Sequence, residues 1–230
     1  MLSLSTTALA VAMLVSSCLI LVCGTPPNPT PQRQWRRDRV WALMNSTLGK
    51  LATVIILGMP FYHTGLALCF PDMSVLCPRA ETLNYQLFTW NRYTLTSLLI
   101  ITCIGAPVRL TAYRGLGQRF TFSLAPPDKL ITSGIYRYIQ HPSYTGGMIM
   151  LLGALMTFFR WDAAPACWVP STARTILDGW GAVVSIAVFV LASWICVLRV
   201  RDEEPMLRET FGQQWIEWHQ STRRFIPGVV

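Results

Sequence analysis

Residues 176–204 read ILDGWGAVVSIAVFVLASWICVLRVRDEE. From Ile176 to Leu198 the only charge is Asp178, near the start; Arg199, Arg201, Asp202, Glu203 and Glu204 then follow. A helix needs about 20 apolar residues to cross a hydrocarbon core of about 30 Å, and this run supplies them. The abrupt return of charge marks where such a helix would leave the bilayer.

Four more stretches read the same way: Leu4–Cys23, Leu51–Phe70, Tyr93–Val108 and Tyr144–Phe159. The first 32 residues carry no charge, so the N-terminal stretch lacks the basic flank of a signal peptide and reads as a retained span. In hydrocarbon the backbone must bond to itself, so each stretch is predicted to be a helix. Pro60 should kink its helix and free a carbonyl. Composition agrees: hydrophobic residues make up 52% of the 230 and charged residues 13%, against about 25% charged in soluble domains. Buried helices of a soluble protein would need far more polar surface between them. The expectation is an all-α polytopic membrane bundle of about five transmembrane helices, with a cytosolic C-terminal helical segment.

The net charge of +8 alone would suggest nucleic acid, but position says otherwise. Lys and Arg number five in 24–50, two in 71–92, five in 109–143, two in 160–175 and five in 199–230. That alternation puts the N-terminus outside and the C-terminus in the cytosol. The excess charge is then a topology signal that also attracts anionic headgroups of the lipid bilayer. No nucleic-acid module is visible, and no nucleic acid is expected as a partner. The seven cysteines show no C-x-x-C and no metal spacing, and the three histidines are well separated, so no metal site is expected. Cys77 and Cys167 fall on the predicted lumenal side, where they could pair.

Two polar clusters carry the chemistry, both on the predicted cytosolic side. The first is DKLITSGIYRYIQHPSY, residues 128–144, entering the fourth span. Gly134 allows close approach of backbone to a ligand. Pro142 suits the first turn of a helix, whose free N–H groups could hold a carboxylate. Tyr136, Tyr138 and Tyr144 would lie at headgroup depth; an aromatic belt with a helix cap is the plain alternative. The second cluster is RVRDEEPMLRETFGQQWIEWHQSTRRFIP, residues 199–227. Arg199 with Glu203, and Glu204 with Arg208, have the spacing of i,i+4 pairs. Pro205 suggests a fresh helix capped by Asp202. Gly212 should end it, with a short helix over 213–220 whose Trp215 and Trp218 rest in the membrane interface. A solvated, salt-bridged tail is the alternative here. A short link joins the last two spans, so the two clusters should face each other.

Together the clusters resemble the isoprenylcysteine carboxyl methyltransferase family. The resemblance rests on Gly134, Tyr136, His141, Pro142, Ser143, Tyr144 and Gly146, then Arg199, Glu203, Glu204, Leu207, Phe211 and Gly212, then the ending RFIPG at 224–228. It covers about residues 128–228 and divides the chain into N-terminal transmembrane helices (1–127) and a methyltransferase core (128–230). Gln140 stands where the family usually has Arg, and Trp215 and Trp218 stand at Tyr positions. Gln keeps donors and loses the charge, so an Arg at 140 should be tolerated.

The resemblance implies methyl transfer from S-adenosylmethionine to the carboxylate of a prenylated C-terminal cysteine, at the endoplasmic reticulum. The partner would be a prenylated CaaX-type protein or a lipophilic small-molecule acid. Asp128, Lys129, Leu130, Ile131, Tyr136, His141, Pro142, Ser143, Tyr144, Glu203 and Glu204 would hold the cofactor, and Arg199 would be the catalytic residue that binds the substrate carboxylate. A sulfonium donor and an ionised acceptor need no general base. They need in-line positioning and a partner for a buried carboxylate, which Arg supplies. Other readings are a methyltransferase for a phospholipid amine or a small lipophilic acid, an NADPH-dependent sterol or enone reductase with a similar ending, and a non-catalytic scaffold.

Overall fold

The computed structural model describes residues 4–226, except Arg33 and Arg37, with Ser171 and Leu177 described in backbone only. Two of the basic residues counted in 24–50, and Pro227 and Gly228 of the late ending, therefore lie outside the described residues. The chain is all-α. Its helices are α1 (Leu4–Gly24), α2 (Arg39–Asn45), α3 (Thr47–Cys69), α4 (Arg92–Leu99), α5 (Ala106–Leu116), α6 (Pro142–Thr157), α7 (Ser171–Leu177), α8 (Gly181–Phe211) and α9 (Gln213–Ser221).

Among the described residues, four helical rods are long and apolar enough to cross a membrane: α1, α3, the rod Arg92–Arg119 and α8. In the third rod, α4 passes through a π-helical turn, Ile100–Gly105, into α5. The remaining predicted span, the fourth in chain order, is α6, with 16 residues. At 1.5 Å per residue it rises only about 24 Å. It nevertheless crosses the bundle from end to end. Its first turn meets α8 through Tyr144 and Glu203, and beyond its last turn Asp162 accepts from Asn84 at the opposite end. A helix enclosed by its neighbours does not have to match the lipid thickness by itself.

Small residues make that enclosure possible, as is usual where membrane helices approach closely. A Cβ on Gly146 would lie 2.6 Å from the Arg109 backbone nitrogen, and one on Gly105 would lie 2.8 Å from that of Met150. Polar side chains tie the same seam: Ser97 Oγ donates to the Gly153 carbonyl (2.7 Å), and Thr157 Oγ1 donates to Ser97 Oγ (2.7 Å). The core around Leu9, Met13, Leu66, Phe88, Ile101, Met150 and Phe158 joins α1, α3, the third rod and α6.

α8 differs from the sequence expectation at both ends. It starts at Gly181 rather than Ile176, leaving Asp178 outside it. It also runs unbroken through Pro205 to Phe211. Pro205 removes one i→i−4 bond, but Pro205 and Arg201, whose carbonyl loses the partner, are both exposed, so water can replace it. Asp202 is therefore no helix cap; its carboxylate pairs with Arg39 at 2.7 Å. Pro60 likewise sits inside α3 without ending it. Gly212 (φ 55°) does end α8, and α9 follows. Val183, Ile186, Val190, Leu191 and Trp194 of α8 are exposed, an apolar face suited to lipid.

The two ends of the bundle are chemically distinct. At one, Cys77 and Cys167 form a disulfide, and Trp90 Nε1 donates to the Ser5 carbonyl (3.0 Å). At the other lie α2, the loop after α5, the start of α6 and the charged half of α8.

Candidate active site

The start of α6 lies beside the end of α8. Tyr144 Oη donates to Glu203 Oε2 at 2.8 Å, and His141 Nδ1 is 3.9 Å from the same oxygen. The other ring nitrogen of His141 is 3.9 Å from Glu204 Oε1. Glu204 is held in a fork by Arg224, at 2.6 and 2.9 Å. That carboxylate keeps the exposed Arg224 guanidinium above its ordinary pKa. The two clusters thus meet, but through contacts between elements rather than the i,i+4 pairs that the spacing suggested. Glu203 turns to Tyr144, Glu204 to Arg224, and Arg199 to Asp38.

Arg199 is buried, although it stands where α8 turns from apolar to charged. Its guanidinium donates to the Asp38 carboxylate and to the Phe122 carbonyl. Asp38 caps α2 by accepting from Trp41 N (2.9 Å), and it also accepts from Leu124 N (2.6 Å). Arg109 fixes the third rod beneath the site: Nε donates to the Cys23 carbonyl and Nη1 to the Ser143 carbonyl, both at 2.8 Å. Asp38, Phe122 and Arg109 were not read as site residues. Asp38 lies in the charge run RRDR, which looks like a solvated stretch in sequence.

These groups surround a cavity of about 310 Å³. Its walls include Lys129, Leu130, Ile131, Tyr136, His141, Pro142, Ser143, Tyr144, Arg199 and Glu203, with Val40, Trp41, Met44, Arg109, Ser123, Ile195 and Cys196 from elsewhere. Most of the predicted site residues are therefore gathered at one cavity, which draws on both sides of residue 127. Asp128 is not among its walls. It is exposed and bound to Arg119 at 2.5 and 2.8 Å, which lowers its carboxyl pKa. Glu204 is not among them either, being taken up by Arg224 and His141.

Gln140 lies in the cavity wall but is fully committed elsewhere. Its Nε2 donates to Thr222 Oγ1 (2.8 Å) and to the His219 carbonyl (3.1 Å), while its Oε1 meets His219 Nδ1 at 2.9 Å. Beside it Gln140 N donates to the Arg223 carbonyl (2.7 Å), and Ile139 bridges to Arg223. It clamps the C-terminal segment to the loop before α6. Trp215 and Trp218 do not rest in a membrane interface: they are buried against Ala112, Leu130 and Tyr136, and Trp218 Nε1 donates to the Tyr136 carbonyl (3.0 Å). Tyr136 is likewise buried, which raises its phenol pKa strongly. Tyr138 is the exposed ring of this group.

The cavity shows unmet polar demand. The hydroxyls of Ser143 and Ser123 are buried with no hydrogen-bond partner, and no side chain caps the start of α6. Buried polar groups in native proteins are nearly always paired, so these hydroxyls are places for water or for a ligand's polar atoms. The volume is at the lower end of the range for small-molecule sites, about 300–1,000 Å³. With Glu203 as acceptor and two free hydroxyls, the walls suit a ligand carrying ammonium, hydroxyl and carboxylate groups.

Residues 98–178 match the model of the Isoprenylcysteine carboxyl methyltransferase (ICMT) family. The match starts before the first motif and stops before α8, so Arg199 and Glu203 lie beyond it. Among curated relatives, the chain is 29% identical over 137 residues to protein-S-isoprenylcysteine O-methyltransferase of Schizosaccharomyces pombe, covering 57% of this chain and 49% of that one. It is 28% identical over 135 residues to the protein of that name in Dictyostelium discoideum (56% and 48%). For the Tribolium castaneum protein the figures are 27% over 141 residues (59% and 42%). The chain thus spans about half the length of the curated relatives it matches. Through its central segment, residues 98–178, the chain is similar to the isoprenylcysteine carboxyl methyltransferase family.

Proposed function

We propose that the chain is an integral-membrane, S-adenosylmethionine-dependent methyltransferase that esterifies the C-terminal carboxylate of a prenylated cysteine. The observation that carries this reading is the placement of buried Arg199 and partly buried Glu203 on one cavity with the unpartnered hydroxyl of Ser143. Bound there, S-adenosylmethionine would supply a methyl group already activated on a sulfonium. Glu203 is suited to its ammonium or ribose hydroxyls, and Ser143 with the start of α6 to its polar rim. Lys129, Leu130, Ile131, Tyr136 and His141 complete that end.

Arg199 orients the acceptor. With the donor bound, an acceptor carboxylate oxygen would take the methyl group as its bond to sulfur broke, the electron pair staying on sulfur. A neutral ester and a neutral thioether result, and no proton is transferred. The residues therefore contribute position and charge rather than acid–base chemistry. Residues 128–230 form the proposed methyltransferase core, completed by α2 and Arg109 from the N-terminal part. Val40, Trp41, Ile195 and Cys196 give the cavity an apolar side for a lipid tail.

The proposed address is the endoplasmic reticulum, with the C-terminus in the cytosol. The alternation of basic residues supports that orientation. So does the disulfide at the opposite end, since such bonds persist in oxidising compartments. The test incubates purified protein in lipid with tritiated S-adenosylmethionine and N-acetyl-S-farnesylcysteine. Base-labile label in the acceptor is expected. Its absence, with turnover of NADPH on an enone in the parallel arm, would replace this reading by the reductase one.

A further inference from the structure

The carboxylate of Asp38 occupies the guanidinium that the proposed reaction needs for its acceptor, and α2 carries Val40, Trp41 and Met44 into the same cavity. An acid followed by apolar groups is the chemistry of the acceptor, here supplied by the chain itself. We propose that Asp38 is a placeholder for the acceptor carboxylate, and that it sets specificity by requiring any acceptor to bring a negative charge able to displace it. This rests on the function proposed above.

Arg199 and Asp38 each have side chains about 6% exposed. A buried guanidinium left alone would be severely unfavourable, so Arg199 needs an anion before the acceptor arrives. Asp38 supplies one without being among the cavity's walls. Asp38 also accepts from Leu124 N, but the helix that it caps is weakly held. α2 has no buried residue. Its other ion pair, Arg39 with Asp202, has a 63% exposed guanidinium. An element with so few buried contacts opens at small cost.

The exchange has a consequence for the product. The incoming acid trades places with Asp38, and charge on Arg199 stays balanced. Methylation turns that acid into a neutral ester, which cannot compete for the guanidinium. Asp38 then returns and displaces it.

Asp38→Asn keeps an N-cap and an oxygen for Arg199 but removes the competing charge. The KM for N-acetyl-S-farnesylcysteine should fall about tenfold, and its methyl ester should inhibit more strongly by a similar factor. Affinity for S-adenosylmethionine should stay unchanged, which checks the fold. A KM that stays level or rises would overturn the placeholder and leave Asp38 as a structural anchor. The second measurement needs no turnover. In Val40→Cys, maleimide labelling at residue 40, located by mass spectrometry, should speed up with the farnesylated acid and not with its ester. Equal rates for acid and ester would also overturn the proposal. Should the unmodified protein methylate nothing, the functional reading falls, and the labelling arm still decides whether an acid displaces α2.

Discussion

Glu203 and Gln140 show how one side chain's partners decide its task. Glu203 accepts from Tyr144 through one oxygen and lines the cavity, so its charge lies beside any ligand there. Glu203→Gln should weaken S-adenosylmethionine binding about tenfold or more, the scale of a charge-assisted bond. Equilibrium dialysis measures it, and unchanged affinity would remove Glu203 from the site. Gln140 is different: both ends of its amide are used to hold His219 and Thr222. An Arg there would bury a charge and lose the oxygen that His219 meets. Gln140→Arg should therefore destabilise the fold by roughly 1–3 kcal/mol instead of being tolerated, as thermal unfolding in detergent would show. His219 adds a pH dependence. Burial lowers its pKa, helped by the nearby Arg224 and His141 charges and opposed by Glu204. The folded state then binds the proton less readily than the unfolded state. Stability is at its full value above the ordinary histidine pKa, about 6.5, and declines as pH falls from there through the lower folded value. Proteolysis of the C-terminal segment should increase over that window, and His219→Gln should flatten the change.

Among the elements, α6 is the one whose length misleads. It is too short to span alone, and Gly105 of the π-helical turn and Gly146 of α6 let it touch the third rod at the backbone. Gly146→Val should force those helices apart and cost about 1–3 kcal/mol or more, since the clash is with backbone rather than a side-chain tip. A lower unfolding temperature together with weaker cofactor binding is expected, because Ser143 and Tyr144 sit one turn away. α8 makes the complementary point. Its proline is tolerated because the carbonyl it orphans lies at an exposed position, so one rod carries Arg199 and Glu203 at fixed spacing.

At the scale of the whole molecule, the charged site and the disulfide occupy opposite ends of the bundle. The Cys77–Cys167 bond links residues 90 apart in sequence. Its loss in Cys77→Ser should lower stability by about 2–4 kcal/mol, read as a drop in unfolding midpoint that reductant reproduces in the unmodified protein. In sealed microsomes, an impermeant maleimide applied from the cytosolic side after reduction should fail to reach Cys77 and Cys167. Labelling there would invert the orientation proposed here.

The helical membrane class, the five apolar stretches, four of them long enough to span by themselves, and the two polar clusters were all legible in the chain, because hydropathy and charge act over contiguous residues and bilayer thickness sets a fixed length for them. His141, Ser143, Tyr144, Arg199 and Glu203 were legible as a group because their motifs lie at the ends of neighbouring helices. What lay beyond local reading was the choice of partners. Arg199 took Asp38 from 161 residues away, Glu204 took Arg224, and Gln140 took the tail rather than a ligand. Buried charges and amides must find complements wherever the fold brings them, and spacing along a helix records only the nearest candidates. Sequence determined which groups would stand at the membrane surface; tertiary packing decided which of them remained free for a ligand.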